Sequence, residues 1–158
     1  MDIKKTFMLK DLLNWEIILQ QPRYAGGHQE IMESLFAGSS AILASYSDGG
    51  YQGQVGYIYL VYFGTDYSKI AIITDYFGSC SGCDSWEDAD DDEVRKMCTA
   101  LANDARTFDE IDEAIEFLKT DAVEEAGNYG FHSTAGGMLE ELEKTKKKIA
   151  SGDFNIFT

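Results

Sequence analysis

The sequence predicts an α+β fold, an antiparallel meander of three or four strands packed against N-terminal and C-terminal helices. Aromatic and β-branched residues concentrate in one stretch, residues 41–76, and that stretch is broken by turn signals. Apolar residues at helical spacing flank it on both sides. The turns inside it are short enough for hairpins, which makes neighbouring strands antiparallel.

Residues 6–20 place Phe7, Leu12, Trp15, Ile18 and Leu19 near helical spacing, and Pro22 with Gly26-Gly27 ends the segment, so one amphipathic helix is expected there. A second, short helix spans His28 to Phe36 with Ile31, Leu35 and Phe36 on one side, and stops at Gly38. Ala41 to Tyr46 reads as a strand, and Asp48-Gly49-Gly50 as a turn. Val55 to Phe63 is aromatic and β-branched on both faces, the pattern of a central, covered strand. Gly64 to Ser68 suits a hairpin loop, and Lys69 to Tyr76 returns as a third strand.

Three helical patterns follow. Asp90 to Ala102 carries Val94, Met97, Cys98 and Leu101 on one face. Thr107-Phe108-Asp109-Glu110 reads as a capping box opening a helix with Phe108, Ile111, Ile115 and Leu118. Gly137 to Ala150 carries Met138, Leu139, Leu142 and Ile149. Residues 127–137 are glycine-rich and expected to be irregular, and the tail Phe154-Asn155-Ile156-Phe157 is apolar enough to dock. At 158 residues the chain fits one domain, helical over 1–38, sheet over 39–77 and acidic-helical over 84–150.

Charge is distributed unevenly. The chain has 28 Asp and Glu against 13 Lys and Arg, a net −15. Residues 84–143 hold nineteen of those acids and only Arg95, Lys96, Arg106 and Lys119, so they carry the whole of the net charge. Such a balance argues against direct nucleic-acid binding, which needs cations to displace counterions from phosphates, and points to basic partners instead. No apolar run reaches the roughly 20 residues of a membrane span, which leaves no membrane partner to expect. Three cysteines, an odd number in a chain able to form a core without disulfides, favour a reducing compartment, and the cytoplasm is expected.

Gly78-Ser79-Cys80-Ser81-Gly82-Cys83-Asp84 is the one motif that could carry chemistry. A thioredoxin-type redox pair also lies between a strand and a helix N-terminus. That fold sets a cis-proline opposite the cysteines, however, and the chain's single proline is Pro22. Six acids between Glu87 and Glu93 also disfavour a thiolate. A zinc site using Cys80 and Cys83 needs two more ligands, for which Cys98, His28 and His132 are the soft donors, and Cys98 falls on an apolar stripe. The third reading is a tight loop of small residues flanked by the aromatic anchors Tyr76, Phe77 and Trp86. No cofactor is expected, with zinc on Cys80 and Cys83 as the competing assignment.

Glu87 to Glu93 superficially matches a calcium loop, with Asp88, Asp90 and Asp92 at positions one, three and five, but Glu93 and Thr99 replace its glycine at six and its glutamate at twelve. Acids also favour a helix N-terminus, which accounts for part of that run. Asp109, Glu113 and Glu116 recur at i, i+4 and i+7 with Glu110 and Asp112 beside them. Like charges so spaced destabilise a helix by about 0.2–0.5 kcal/mol each, so a binding role for them stands beside the reading of a merely solvated face. Lys144, Lys146, Lys147 and Lys148 complement the dipole at the end of the last helix. There is no glycine-rich phosphate loop, H-E-x-x-H or G-x-S-x-G, and with only two histidines an enzyme is not expected.

The run from Tyr76 to Trp86 resembles a G-S-C-S-G-C-D motif of small uncharacterised proteins of bacteriophages and related mobile elements, a likeness covering about a dozen of the 158 residues. The resembled proteins have no established activity to carry over, but small acidic phage proteins often inhibit host defence or polymerase machinery by binding it, so by analogy a phage-type inhibitor in the host cytoplasm is expected. Taken with the charge, the expectation is a non-enzymatic acidic protein that binds the basic surface of a nucleic-acid-handling host protein, in the manner of a nucleic-acid mimic. Its contacts would be Glu87, Asp88, Asp90, Asp91, Asp92, Asp109, Asp112, Glu113 and Glu116, with Tyr76, Phe77 and Trp86 as anchors. The alternative is a small zinc- or redox-active protein centred on Cys80 and Cys83.

Overall fold

A computed structural model describes residues 8–23, 28–47, 52–63, 68–78, 89–129 and 134–152, without the side chains of 28, 52–53, 76–78, 121–129 and 134. The described residues form an α+β fold in which an antiparallel sheet is flanked by helices. The strands are β1 (Ser40–Ser47), β2 (Gln52–Tyr62), β3 (Ser68–Gly78) and β4 (Arg106–Phe108), and they lie side by side in chain order. The helices are α1 (Trp15–Ile18), α2 (His28–Ser34), α3 (Asp91–Asp104), α4 (Ile111–Tyr129) and α5 (Thr134–Ser151), preceded by a 3-10 turn at Leu9–Leu12.

Alternation along β2 explains why that strand reads as apolar on both sides. Val55, Tyr57, Tyr59, Val61 and, just past the strand, Phe63 enter one core with Ala71 and Ile73 of β3, beneath the N-terminal helices and α3. Ile58 enters the other core with Leu43 and Ala44 of β1 and Ile70 and Ile72 of β3, beneath α4 and α5. Both faces are therefore covered, and β2 pairs with β1 on one side (Ser45 opposite Tyr57) and with β3 on the other (Ile58 opposite Ile72).

Tertiary contacts redraw three of the expected elements. The segment 6–20 is not one helix among its described residues, because Leu13 and Asn14 break it. Asn14 caps α1 by accepting the Ile17 N–H at 3.1 Å, while its amide donates to the Ala37 carbonyl at 2.8 Å and its backbone N–H to the Leu35 carbonyl at 2.9 Å. The cap and the two bonds to a turn distant in sequence replace the bonds that a continuous helix would make at that point. The capping box at Thr107 is also corrected: Arg106, Thr107 and Phe108 extend along β3 opposite Ile72, Ala71 and Ile70, and α4 begins only at Ile111. An open strand edge offers Thr107 a ladder, and the Phe108 ring reaches Phe117 at 5.3 Å, so sheet pairing outcompetes the cap. Most of residues 127–137, expected to be irregular, instead complete two helices, α4 to Tyr129 and α5 from Thr134.

Close approach governs the α5 face. An added Cβ on Gly137 would collide with the Tyr46 ring of β1, and one on Gly56 of β2 would collide with Met138. The buried Thr145 hydroxyl donates to the Leu43 carbonyl at 2.5 Å, at the point where the β1–β2 register shifts between Ile42 and Ala44. Small residues on α5 and β2 thus let the helix lie directly on the sheet.

Candidate acidic interaction surface

The start of α3 is organised by its own acids. Asp90 is the N-cap, its carboxylate accepting the Glu93 N–H at 2.8 Å. Asp91 pairs with Arg23 at 2.6 Å, and the same guanidinium donates to the Ala89 and Leu19 carbonyls at 3.0 Å each. With its side chain only 18 % exposed, Arg23 ties the beginning of α3 to the end of α1. Asp90 and Asp91 therefore have structural work. Asp92 and Glu93 are exposed and make no ion pair among the described residues.

The second acidic group lies around the start of α4. Asp109 precedes that helix and reaches Lys69 of β3 at 3.4 Å, so the expected helical row begins at Asp112, not Asp109. Asp112 pairs with Lys146 of α5, and Glu116 with Lys119 at 3.3 Å. These two pairs offset part of the repulsion read from spacing. Glu110 and Glu113 remain exposed and without an ion pair among the described residues.

These acids form two patches. The apolar side of α3 (Val94, Cys98, Ala102) belongs to the core under one sheet face, and that of α4 (Ala114, Ile115, Leu118) to the core under the other. In addition, the fourteen residues of α3 extend about 21 Å between the acids at its start and the chain's arrival at β4. Tyr76 and Phe77 lie in β3 opposite Gln54 and Gly53. Trp86, Glu87, Asp88, Cys80 and Cys83 lie outside the described residues.

The cations of the acidic half are largely engaged. Arg95 sits over the Trp15 ring at 5.2 Å, Arg106 over the Phe117 ring at 5.9 Å, and Lys119 on Glu116. On α5, Lys144 bonds Glu141 at 3.2 Å, and that hydrogen bond, with the charges of Glu141 and Glu140, raises its pKa. Glu140, Glu141 and Glu143, the last acids of the 84–143 block, are balanced on α5 by Lys144, Lys146, Lys147 and Lys148, so the excess of acids does not continue along this helix.

Chemistry inside the cores is muted. Burial, and then the charge of Asp75, pushes the Cys98 thiol up to about 12, so Cys98 packs in the core as a protonated, small hydrophobe. The phenol of Tyr59 is fully buried, donates to the Met32 carbonyl at 2.6 Å, and has its pKa raised by burial. Tyr57, whose hydroxyl reaches Glu33 at 3.4 Å, is raised by burial and by that carboxylate. Among the described residues no three His, Cys, Asp or Glu side chains converge as a metal site. No described helix is long and apolar enough to cross a membrane.

A cavity of about 360 Å³ opens beside β3 where β4 ends, lined among others by Thr74, Leu101, Asp104, Arg106, Phe117 and Met138. Asp104, the last residue of α3, and Arg106 were not anticipated as site residues; the capping-box reading of Thr107 hid the strand that places Arg106 there. No protein-family model, no curated protein and no solved structure matches the chain.

Proposed function

We propose that the protein is a non-enzymatic acidic binding protein that engages the basic surface of a nucleic-acid-handling protein, as a phage-type inhibitor of a host defence or polymerase component. One observation carries the reading. Within the acidic half, Arg95, Arg106 and Lys119 are engaged by aromatic rings or a neighbouring carboxylate, while Asp92, Glu93, Asp104, Glu110 and Glu113 stand exposed with no ion pair among the described residues. Uncompensated carboxylates on helices present the charge that a phosphate-binding channel accepts. The inhibitory role rests on the motif resemblance at Tyr76 to Trp86.

The test is capture of partners on the full chain from a bacterial lysate, beside a variant carrying D92N, E93Q, E110Q and E113Q. Nucleic-acid-handling proteins should be retained by the unaltered chain, released as ionic strength rises several-fold above about 0.15 M, displaced by added DNA or RNA, and lost from the variant. A partner held equally by both chains at high salt would sink the electrostatic reading.

A further inference from the structure

The cavity of about 360 Å³ beside β3 has an apolar interior and two charges at its rim: Leu118 and Met138 are buried, Leu101 and Phe117 half-buried, and Asp104 and Arg106 exposed. Apolar clefts of this size with a few convergent polar groups are the common form of small-molecule sites. The path of the chain sets the two charges there. α3 ends at Asp104, Ala105 is extended (φ −60°, ψ 141°), and Arg106 opens β4. Residues two apart on extended backbone project to the same side, so three consecutive residues deliver a carboxylate and a guanidinium to one cavity. The two do not neutralise each other. The Arg106 guanidinium sits over the Phe117 ring at 5.9 Å, and neither Asp104 nor Arg106 makes an ion pair among the described residues.

Among the described residues no other charged side chain lines the cavity. The first-turn acids of α3 lie at its far end, about 16 Å or more along the axis. On α5 the lysines begin about 9 Å past Met138, and Lys144 and Lys146 are paired with Glu141 and Asp112. Glu116, beside Phe117, is paired with Lys119. Asp75, whose charge acts on Cys98 in the first core, is not part of the lining. The last carbonyls of α3 lack intrahelical partners and carry the negative end of the helix dipole, which favours a cation beside Asp104. Going beyond the acidic-surface reading, we infer that this cavity binds a free α-amino acid with a large apolar side chain. The ammonium group meets Asp104 and the end of α3, the carboxylate meets Arg106, and the side chain enters against Leu118 and Met138 beside the Phe117 ring. An apolar carboxylate would leave Asp104 without a cation, and an apolar amine would leave Arg106 without an anion; a zwitterion answers both.

The experiment is an NMR shift titration of the full chain with L-leucine, L-methionine, L-phenylalanine and L-tryptophan, beside glycine and the N-acetyl and carboxamide derivatives of each apolar amino acid. At least one apolar amino acid should bind saturably with a Kd at or below about 1 mM, shifting the amides of residues 101–106, 117–118 and 138, and glycine should bind at least about tenfold more weakly. Removing either ligand charge should weaken binding about fivefold or more, as the loss of a charge-assisted contact does. Asp104→Asn and Arg106→Gln should each weaken the free amino acid to a similar extent. No saturable shift at these amides with any apolar amino acid up to several times that concentration would overturn the proposal. So would derivatives that bind as tightly as the free amino acid, or variants that both bind it as tightly as the unaltered chain. The derivatives test the two charges on the unaltered chain, so the outcome does not depend on how either variant folds. The acidic-surface reading is decided separately, because its variant leaves Asp104 and Arg106 in place.

Discussion

On one face of the sheet large side chains fill the space: Phe36 meets Tyr59 edge-on at 5.2 Å, Tyr57 stacks on Tyr59 at 5.9 Å, and α2 supplies Ile31 and Met32. On the other face glycines admit the helix: Gly56 yields to Met138 and Gly137 to Tyr46, and Thr145 bonds the strand directly. The two faces therefore fail in opposite ways. Truncation should damage the first, by opening a cavity, and enlargement the second, by pushing α5 off the sheet.

Phe36→Ala should show the largest effect, a loss of about 3–5 kcal/mol in denaturant unfolding, because Phe36 is fully buried. A loss below about 1 kcal/mol would mean that the α2 face collapses around the void. Gly137→Ala should destabilise by about 1–3 kcal/mol even though alanine is worth up to about 1 kcal/mol over glycine in a helix. Shortening its opponent with Tyr46→Ser should recover part of that loss in a double-mutant cycle. Purely additive effects would show that Tyr46 is not the obstacle.

Alkaline pH separates the faces again. The Cys98 thiol lies in the first core with its pKa raised to about 12, whereas in the unfolded chain it ionises near 8.5. The folded state thus holds a proton that the unfolded state releases, so this contribution is complete below about pH 8.5 and falls by roughly 1 kcal/mol per pH unit above it. Cys98→Ala should remove the decline between about pH 8.5 and 10, before the tyrosines add their own; a decline unchanged in that variant would exclude the thiol as its source. On the second face the exposed Asp112–Lys146 pair should matter little, with Asp112→Asn costing at most about 1 kcal/mol. The smallest expected effect is that of a chelator, which should leave the melting temperature unchanged; a marked fall would favour the zinc reading of Cys80 and Cys83.

The difference between the faces also bears on what could be read from the chain. The central strand was legible because Val55 to Phe63 has few polar residues on either side, and α3 because Asp90 and the Val94, Cys98 pattern mark its cap and apolar side. β4 was not legible. Arg106-Thr107-Phe108 is too short to show a period, and Thr107 with Glu110 imitates a cap. The cavity beside it was hidden with it. Similarly, nothing near Asn14 signals that its amide will find the Ala37 carbonyl 23 residues away.

By itself the sequence determined the fold class, the central strand, and the placement of all net charge in residues 84–143, since composition, periodicity and charge are local properties carried by each segment. Only the tertiary structure decided that the acids divide between two sheet faces, that several are already paired with Arg23, Lys69 and Lys146, and that β4 pairs with β3 only along Ile70 to Ile72. Those outcomes depend on which backbone groups and side chains meet across long separations, and the energies of such meetings outweigh the local preferences that the sequence displays.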